Sequence, residues 1–128
     1  MKLVVGGAYQ GKLPYALEKF QIEECNVTDG RLCEKDDIFQ AVLVDHFHEY
    51  VKRFMDEETY LRTLPEELNK RNPDVILVTN ELGYGIVPMD KFDRAYREMT
   101  GRVCCLLAAK AKEVHRVVCG IGTVIKNA

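Results

Sequence analysis

KLVVGGAYQGKL, residues 2–13, joins a short apolar run to a glycine-rich turn and a lysine. The run Lys2–Val5 predicts a buried strand, and the apolar spacing within Gly11–Phe20 predicts a helix directly after the turn. The turn fits the pattern G-x-x-x-x-G-K, except that Leu13 stands where serine or threonine is expected. A strand, a glycine-rich turn and a helix in this order are typical of a loop that binds phosphate through its backbone N–H groups.

This predicted phosphate loop supplies the first candidate binding residues. Lys12 would place its positive charge on the β- and γ-phosphates of a nucleotide. The hydroxyl that normally holds Mg²⁺ is missing, because residue 13 is leucine. A glycine-rich turn without a ligand is the alternative. The nucleotide-binding residues predicted from the motif are Gly6, Gly7, Ala8, Tyr9, Gln10, Gly11, Lys12 and Leu13.

The rest of the chain alternates strands with helices, which predicts a mostly parallel sheet covered by helices. We therefore expect an α/β fold of the P-loop type, as a single nucleotide-binding domain over residues 1–128. The predicted strands are Glu24–Thr28, Ile38–Val44, Val75–Thr79, Arg116–Cys119 and Thr123–Lys126. Helical patterns cover His46–Asn72, with a second start at the capping box Thr63–Glu66, and run from the cap Asp90 to about Glu113. Loops are predicted at Arg31–Asp37 and Asn80–Pro88.

Polar residues follow two of these apolar strands. Asp45 comes directly after AVLV, where a P-loop protein places a carboxylate linked to magnesium. A turn-forming aspartate or a helix cap is the structural alternative. Asn80 and Glu81 follow VILVT, at the end of a strand where open α/β sheets bind their ligands. For these two residues, the start of a loop is the alternative.

The histidines and cysteines do not indicate a metal centre. His46 and His48 lack a further ligand in the sequence, and we interpret them and His115 as structural residues. The five cysteines form an odd number without a C-x-x-C spacing, which argues against a disulfide framework and a zinc site. Free thiols favour a reducing, cytoplasmic location.

Composition excludes two further classes of protein. The formal net charge of −2 argues against a general nucleic-acid binder, which would carry a basic patch. No apolar run is long enough to cross a bilayer, so we expect no membrane association.

Motifs in the second half of the chain follow one another in the order known from one enzyme family. They are Val78-Thr79-Asn80-Glu81, Gly83, Gly85-Ile86-Val87-Pro88, Tyr96-Arg97, Gly101-Arg102-Val103, Leu107-Ala108-Ala109, Glu113-Val114 and Gly120-Ile121. With these motifs and the loop G-G-A-x-x-G-K, the chain resembles the adenosylcobinamide kinase / adenosylcobinamide-phosphate guanylyltransferase family of cobalamin biosynthesis.

The resemblance implies both a reaction and its residues. Family members phosphorylate the aminopropanol hydroxyl of adenosylcobinamide with GTP or ATP and Mg²⁺, and then transfer GMP through a guanylylated histidine. Carried over by motif, Lys12, Asp45 and Glu81 are implied as catalytic residues, Asp45 as the metal ligand, and Asn80 and Glu81 as substrate-binding residues. A homo-oligomer is also implied.

The chain departs from the family pattern at three places. Leu13 replaces the hydroxyl residue, Cys104 replaces an asparagine, and Asp29–Gln40 contains no histidine where the family carries its guanylylated one. The guanylyltransferase step is therefore not expected. Three hypotheses remain: a cobinamide kinase, a catalytically degenerate protein that binds a nucleotide or corrinoid, and a structural subunit of a larger assembly.

Overall fold

A computed structural model describes residues 1–82 and 90–127 of the chain. Its strands form one six-stranded sheet in the order β2-β3-β4-β1-β5-β6, and neighbouring strands are parallel except for the antiparallel pair β5–β6. Within these described residues, four helices accompany the sheet, so the predicted mostly parallel α/β fold flanked by helices is confirmed. The strands are β1 Lys2–Gly6, β2 Val27–Asp29, β3 Leu43–Asp45, β4 Ile76–Asn80, β5 Glu113–Val118 and β6 Ile121–Asn127, and the helices are α1 Lys12–Lys19, α2 Phe47–Arg53, α3 Glu58–Arg71 and α4 Lys91–Lys110.

The central strand β1 is buried on both faces. Leu3 and Val5 belong to the core formed with α2, α3 and α4, whereas Val4 belongs to the core beneath α1. Because successive side chains of a strand point to opposite faces, an unbroken apolar run suits a strand that is covered on both sides. The run LVV is therefore the local signal for the centre of the sheet.

Strand register places the candidate residues at one edge of the sheet. Gly6 at the end of β1 pairs with Asn80 at the end of β4, and Asp29 at the end of β2 pairs with Asp45 at the end of β3. The loop that follows β1 starts from the same edge. In an open α/β sheet, this edge is where ligands bind.

Two strand predictions were partly wrong. The predicted strand Ile38–Val44 is reduced to β3, because residues Asp37–Phe39 form a 3₁₀ turn. The side-chain amide of Asn72 donates to the carbonyl oxygens of Ile38 and Ala41, both at 2.9 Å. These carbonyls therefore accept from a side chain instead of from a neighbouring strand. A second 3₁₀ turn, Glu24–Asn26, likewise occupies most of the predicted strand Glu24–Thr28.

The predicted helix boundaries also needed correction. The second helix begins at Glu58, and Thr63 lies inside it, where its hydroxyl donates to the carbonyls of Thr59 and Tyr60. The last helix ends at Lys110 and not near Glu113, where β5 begins.

Other boundaries at the end of the chain agree with the sequence or extend it. The cap at Asp90 is confirmed, since its Oδ1 accepts from the backbone N–H of Asp93 at 2.7 Å. The two final strands are longer than predicted and meet at Cys119–Gly120. Most of the predicted loop Asn80–Pro88 lies outside the described residues.

No helix within residues 1–82 and 90–127 combines the length and apolarity needed to span a membrane.

Gly6 is predicted to be essential for the pairing of β1 with β5. A Cβ atom at this position would lie 2.5 Å from the carbonyl oxygen of Val117, so the strand would have to shift. We expect Gly6→Ala to lower the free energy of unfolding by about 1–3 kcal/mol, measured by urea denaturation.

Gly101→Ala is the matched control, because a Cβ there meets nothing within 4 Å and alanine favours a helix. If Gly6→Ala and Gly101→Ala had the same free energy of unfolding, the close approach of Gly6 to the Val117 carbonyl would be contradicted.

Candidate phosphate-binding site

The loop after β1 is built around left-handed backbone positions. Tyr9 has φ 60° and Gly11 has φ 80°, a conformation that glycine adopts without a steric penalty. Lys12 then opens α1, and its ammonium group donates to the carbonyl oxygen of Gly7 at 2.7 Å. The loop therefore closes around the lysine at the start of the helix.

Lys12 is a buried cation. Burial lowers the pKa of its ammonium group, while the nearby carboxylates of Asp45 and Glu81 act in the opposite direction. A buried positive charge with few fixed partners favours an anionic ligand, because phosphate oxygens would replace the lost hydration.

The loop borders a cavity of about 400 Å³, which we call the phosphate cavity. Residues at the carboxyl ends of β1, β2, β3 and β4 form its walls, because the strand register aligns these four ends at one edge of the sheet. The lining residues are Ala8, Tyr9, Gln10, Gly11, Lys12, Leu13, Pro14, Arg31, Asp45, His46, His48, Glu49, Val78 and Asn80.

Some of the residues predicted from the motif lie outside this lining. Gly6 ends β1, and Gly7 accepts the hydrogen bond from the Lys12 ammonium group. Glu81 borders a neighbouring cavity, and its Oε1 lies 3.4 Å from Nε of Arg116. The side chain of Tyr9 is fully exposed, so its contribution to a ligand would come from its backbone.

Leu13 packs against the apolar core and also lines the phosphate cavity. Its half-buried side chain packs against the core beneath α1. The sequence therefore places an aliphatic contact where the common motif has a hydroxyl.

The turn between β5 and β6 clamps the phosphate loop. Gly120 donates its backbone N–H to the carbonyl oxygen of Gln10 at 2.7 Å, and Cys119 donates its N–H to Oε1 of Gln10 at 2.6 Å. A Cβ on Gly11 would lie 3.3 Å from Cα of Gly120. The side chain of Gln10 therefore shapes the loop through a contact that its position in the motif does not indicate.

His48 holds β4 in place beside the cavity. Its Nδ1 accepts from the backbone N–H of Asn80 at 3.1 Å, and its own carbonyl accepts from the Tyr96 hydroxyl at 2.9 Å. Burial, together with the nearby His46, Lys12 and Lys52 side chains, lowers the pKa of His48 to about 4. The ring is therefore neutral at neutral pH, as acceptance at Nδ1 requires.

His46 has an unusual backbone conformation at the cavity wall. It has φ 55° although it is not glycine, and it immediately precedes α2. Its Nδ1 lies 3.1 Å from Oδ2 of Asp45 and 3.7 Å from Oδ1 of Asp29. Strained residues of this kind concentrate at functional sites.

Arg31 adds a second cation, at a position that the sequence predicted only as part of a loop. It is held by Asp29, with Nε 3.0 Å from Oδ1 and Nη2 2.8 Å from Oδ2, and the same contact lowers the pKa of Asp29. Arg53 fixes this turn by donating to the carbonyl oxygens of Gly30 and Cys33. The available signal was a charged residue two positions after a strand that ends at this edge of the sheet.

The oxygen ligands that line the cavity would hold a magnesium ion only together with the phosphate oxygens of a bound nucleotide. The Asp45 carboxylate provides hard oxygen ligands at the cavity wall, and Mg²⁺ commonly uses one or two carboxylates together with water and phosphate oxygens. In the described parts of the chain, no group of three or more His, Cys, Asp or Glu side chains could hold a metal alone.

Comparison with known proteins shows the family of the chain. Residues 18–125 match the family described as Cobinamide kinase / cobinamide phosphate guanyltransferase, a match that begins after the phosphate loop. The chain is 43% identical over 76 residues to the Bifunctional adenosylcobalamin biosynthesis protein CobU of Salmonella typhimurium, which covers 59% of this chain and 41% of the relative. It is 56% identical over 52 residues to the protein of the same name from Escherichia coli, covering 41% of this chain and 29% of the relative. The matched regions thus span less than half of either relative.

Neutral His48 predicts a loss of stability in mild acid. Because its pKa is about 4 in the folded chain and 6.5 in its ordinary state, only the unfolded chain binds this proton between those values. Above pH 6.5 the neutral His48 side chain costs the folded state nothing. As the pH falls from 6.5 towards 4, protonation of the unfolded chain lowers the free energy of unfolding. We expect about 1–3 kcal/mol less stability at pH 4.5 than at pH 7 from this group, measured by urea denaturation.

His48→Asn is the matching variant, since its side-chain oxygen can still accept from Asn80 without titrating in this range. It should show a shallower dependence of stability on pH than the wild type. Identical pH profiles would exclude His48 as the source.

Proposed function

The chain belongs to the cobinamide kinase / cobinamide phosphate guanyltransferase family, and on this basis we propose that it transfers a phosphoryl group from GTP or ATP to adenosylcobinamide. The main support is the buried ammonium group of Lys12, which lies at the phosphate cavity with the Asp45 carboxylate acting on it. In phosphoryl transfer, positioning and stabilisation of charge supply most of the catalysis. A fixed lysine within a glycine-rich loop suits that task.

In the proposed reaction, each residue has a separate role. The acceptor hydroxyl attacks the γ-phosphorus, the bond from that phosphorus to the oxygen bridging it to the β-phosphate breaks, and GDP or ADP leaves. Lys12 neutralises charge on the β- and γ-phosphates, and the loop backbone of residues 6–13 orients them. Glu81 is the proposed acceptor of the hydroxyl proton, because its carboxylate is close enough to influence Lys12.

Asp45 would hold Mg²⁺ together with the phosphates, and the ion would neutralise charge during transfer. Arg31 extends the positive wall of the phosphate cavity beyond Lys12. The transfer of GMP is not included in the proposal, because Asp29–Gln40 lacks the histidine that the family resemblance would require.

The leucine at position 13 supports a second candidate function, in which the chain binds a nucleotide but does not transfer its phosphate. Its side chain packs into the core and offers no oxygen to a metal. The two candidates share the phosphate cavity and differ only in catalysis, so binding and transfer need separate measurements.

Nucleotide binding should depend on Lys12. We expect Lys12→Met, which keeps an apolar stem, to weaken binding of GTP or ATP by about 10- to 100-fold, the usual effect of losing a charged hydrogen bond. Titration calorimetry gives the affinity directly. Lys19→Met, near the other end of the same helix and exposed, is the control and should bind as the wild type does. Unchanged affinity of Lys12→Met would overturn the assignment of the phosphate loop.

Phosphoryl transfer is tested with labelled GTP or ATP and adenosylcobinamide, with the wild type and Leu13→Ser side by side. We expect the wild type to transfer and the serine variant to transfer faster, because a hydroxyl at position 13 adds a metal ligand. Transfer by Leu13→Ser alone would favour the second candidate. Absence of transfer by both would overturn the proposed kinase reaction.

A further inference from the structure

A second cavity lies beside the phosphate cavity, between α4 and the strands β1, β5 and β6. Its volume is about 410 Å³, and we call it the acceptor cavity. Aliphatic side chains form most of its wall, namely Leu3, Val5, Leu82, Ala108, Val114 and Ile125. The cavity is at the small end of the range of about 300–1,000 Å³ that is typical of ligand pockets.

A buried hydroxyl group at this cavity has no partner among the described residues. Thr100 on α4 is only 2% exposed, and its Oγ1 makes no hydrogen bond there. Thr100 belongs to the cavity lining. A buried polar group is normally satisfied, so this hydroxyl indicates a missing hydrogen-bonding partner.

The next residue, Gly101, leaves space at the wall. A Cβ built at this position meets no atom within 4 Å. Because Gly101 lines the same cavity as Thr100, the cavity wall along α4 is open beside this exposed glycine.

The chemistry of the wall favours an uncharged ligand. Burial raises the pKa of the Cys104 thiol to about 12, so the thiol is neutral at neutral pH. Among the described lining residues, Glu81 alone carries a formal charge, and it is engaged by Arg116. A charged group placed deeper in the cavity would lose its hydration without compensation.

The two cavities meet at the end of β4. Asn80 lines both, and the adjacent Glu81 lines the acceptor cavity while its charge acts on Lys12. A molecule held in the acceptor cavity can thus present one end to the phosphate cavity past Asn80.

We propose that the acceptor cavity binds an uncharged, mainly aliphatic arm of the alcohol that receives the phosphoryl group. A hydroxyl or amide of this arm hydrogen-bonds to Thr100, and the reacting hydroxyl extends past Asn80 towards the nucleotide. The inference rests on the proposed function. The volume accommodates part of the acceptor and leaves the rest of the molecule outside.

Two substitutions test the acceptor cavity. Gly101→Leu fills its space with a good helix former, and Thr100→Val removes the hydroxyl while keeping the shape of the side chain. Ala109→Leu adds the same bulk as Gly101→Leu on an exposed part of the same helix outside the cavity. Each variant is assayed for the KM of adenosylcobinamide and of the nucleotide, and for adenosylcobinamide binding without nucleotide by titration calorimetry.

We expect Gly101→Leu to raise the KM for adenosylcobinamide by about tenfold or more. Thr100→Val should raise it by about 3- to 10-fold, as the loss of one hydrogen bond predicts. The KM for the nucleotide should stay constant, and Ala109→Leu should behave as the wild type.

The outcomes separate the acceptor cavity from the kinase reaction. If the wild type transfers phosphate and Gly101→Leu keeps the same KM and affinity for adenosylcobinamide, the cavity assignment is overturned while the kinase reaction stands. If the wild type binds adenosylcobinamide without transfer and Gly101→Leu loses that binding, the cavity is supported and the kinase reaction fails. If the wild type neither binds nor transfers, both are overturned.

Discussion

The pairing of β1 between β4 and β5 is the constraint on which the candidate site depends. Lys2–Gly6 runs parallel to both neighbours, and its register aligns Gly6 with Asn80. This alignment carries the phosphate loop to the edge where β3 delivers Asp45. Gly6 also lies directly against the Val117 carbonyl, so β1 can approach β5 this closely only without a side chain at residue 6.

The sequence alone revealed the parts of the fold that local rules determine. LVV before two glycines and VILVT before Asn80 predicted the central strands correctly, since an apolar run of this length suits a fully covered strand. The cap at Asp90 was equally local. The run Ile38–Val44 was misleading, because Ile38 is apolar on account of its contact with the core and lies in a 3₁₀ turn stabilised by Asn72. That contact joins residues 34 positions apart, beyond the reach of a periodicity.

The candidate site was predictable where its residues follow strands. Lys12, Asp45 and Asn80 were found in this way, and they meet at one cavity. Arg31 was missed because its strand is only three residues long, and the support that His48 gives to Asn80 depends on tertiary packing. Glu81 shows the limit of such inference, since Asn80 lines both cavities whereas the adjacent Glu81 lines only the acceptor cavity.

The clamp between Gln10 and the turn at Cys119–Gly120 affects the order in which the protein acquires its parts. The phosphate loop is formed by residues 6–13, yet two of its hydrogen bonds come from residues about 109 positions later. During synthesis, the strand and helix around the loop can form early, but the loop cannot reach its final shape before the closing hairpin has emerged and paired. The proposed phosphate site is thus completed only after the β5–β6 hairpin has paired with β1.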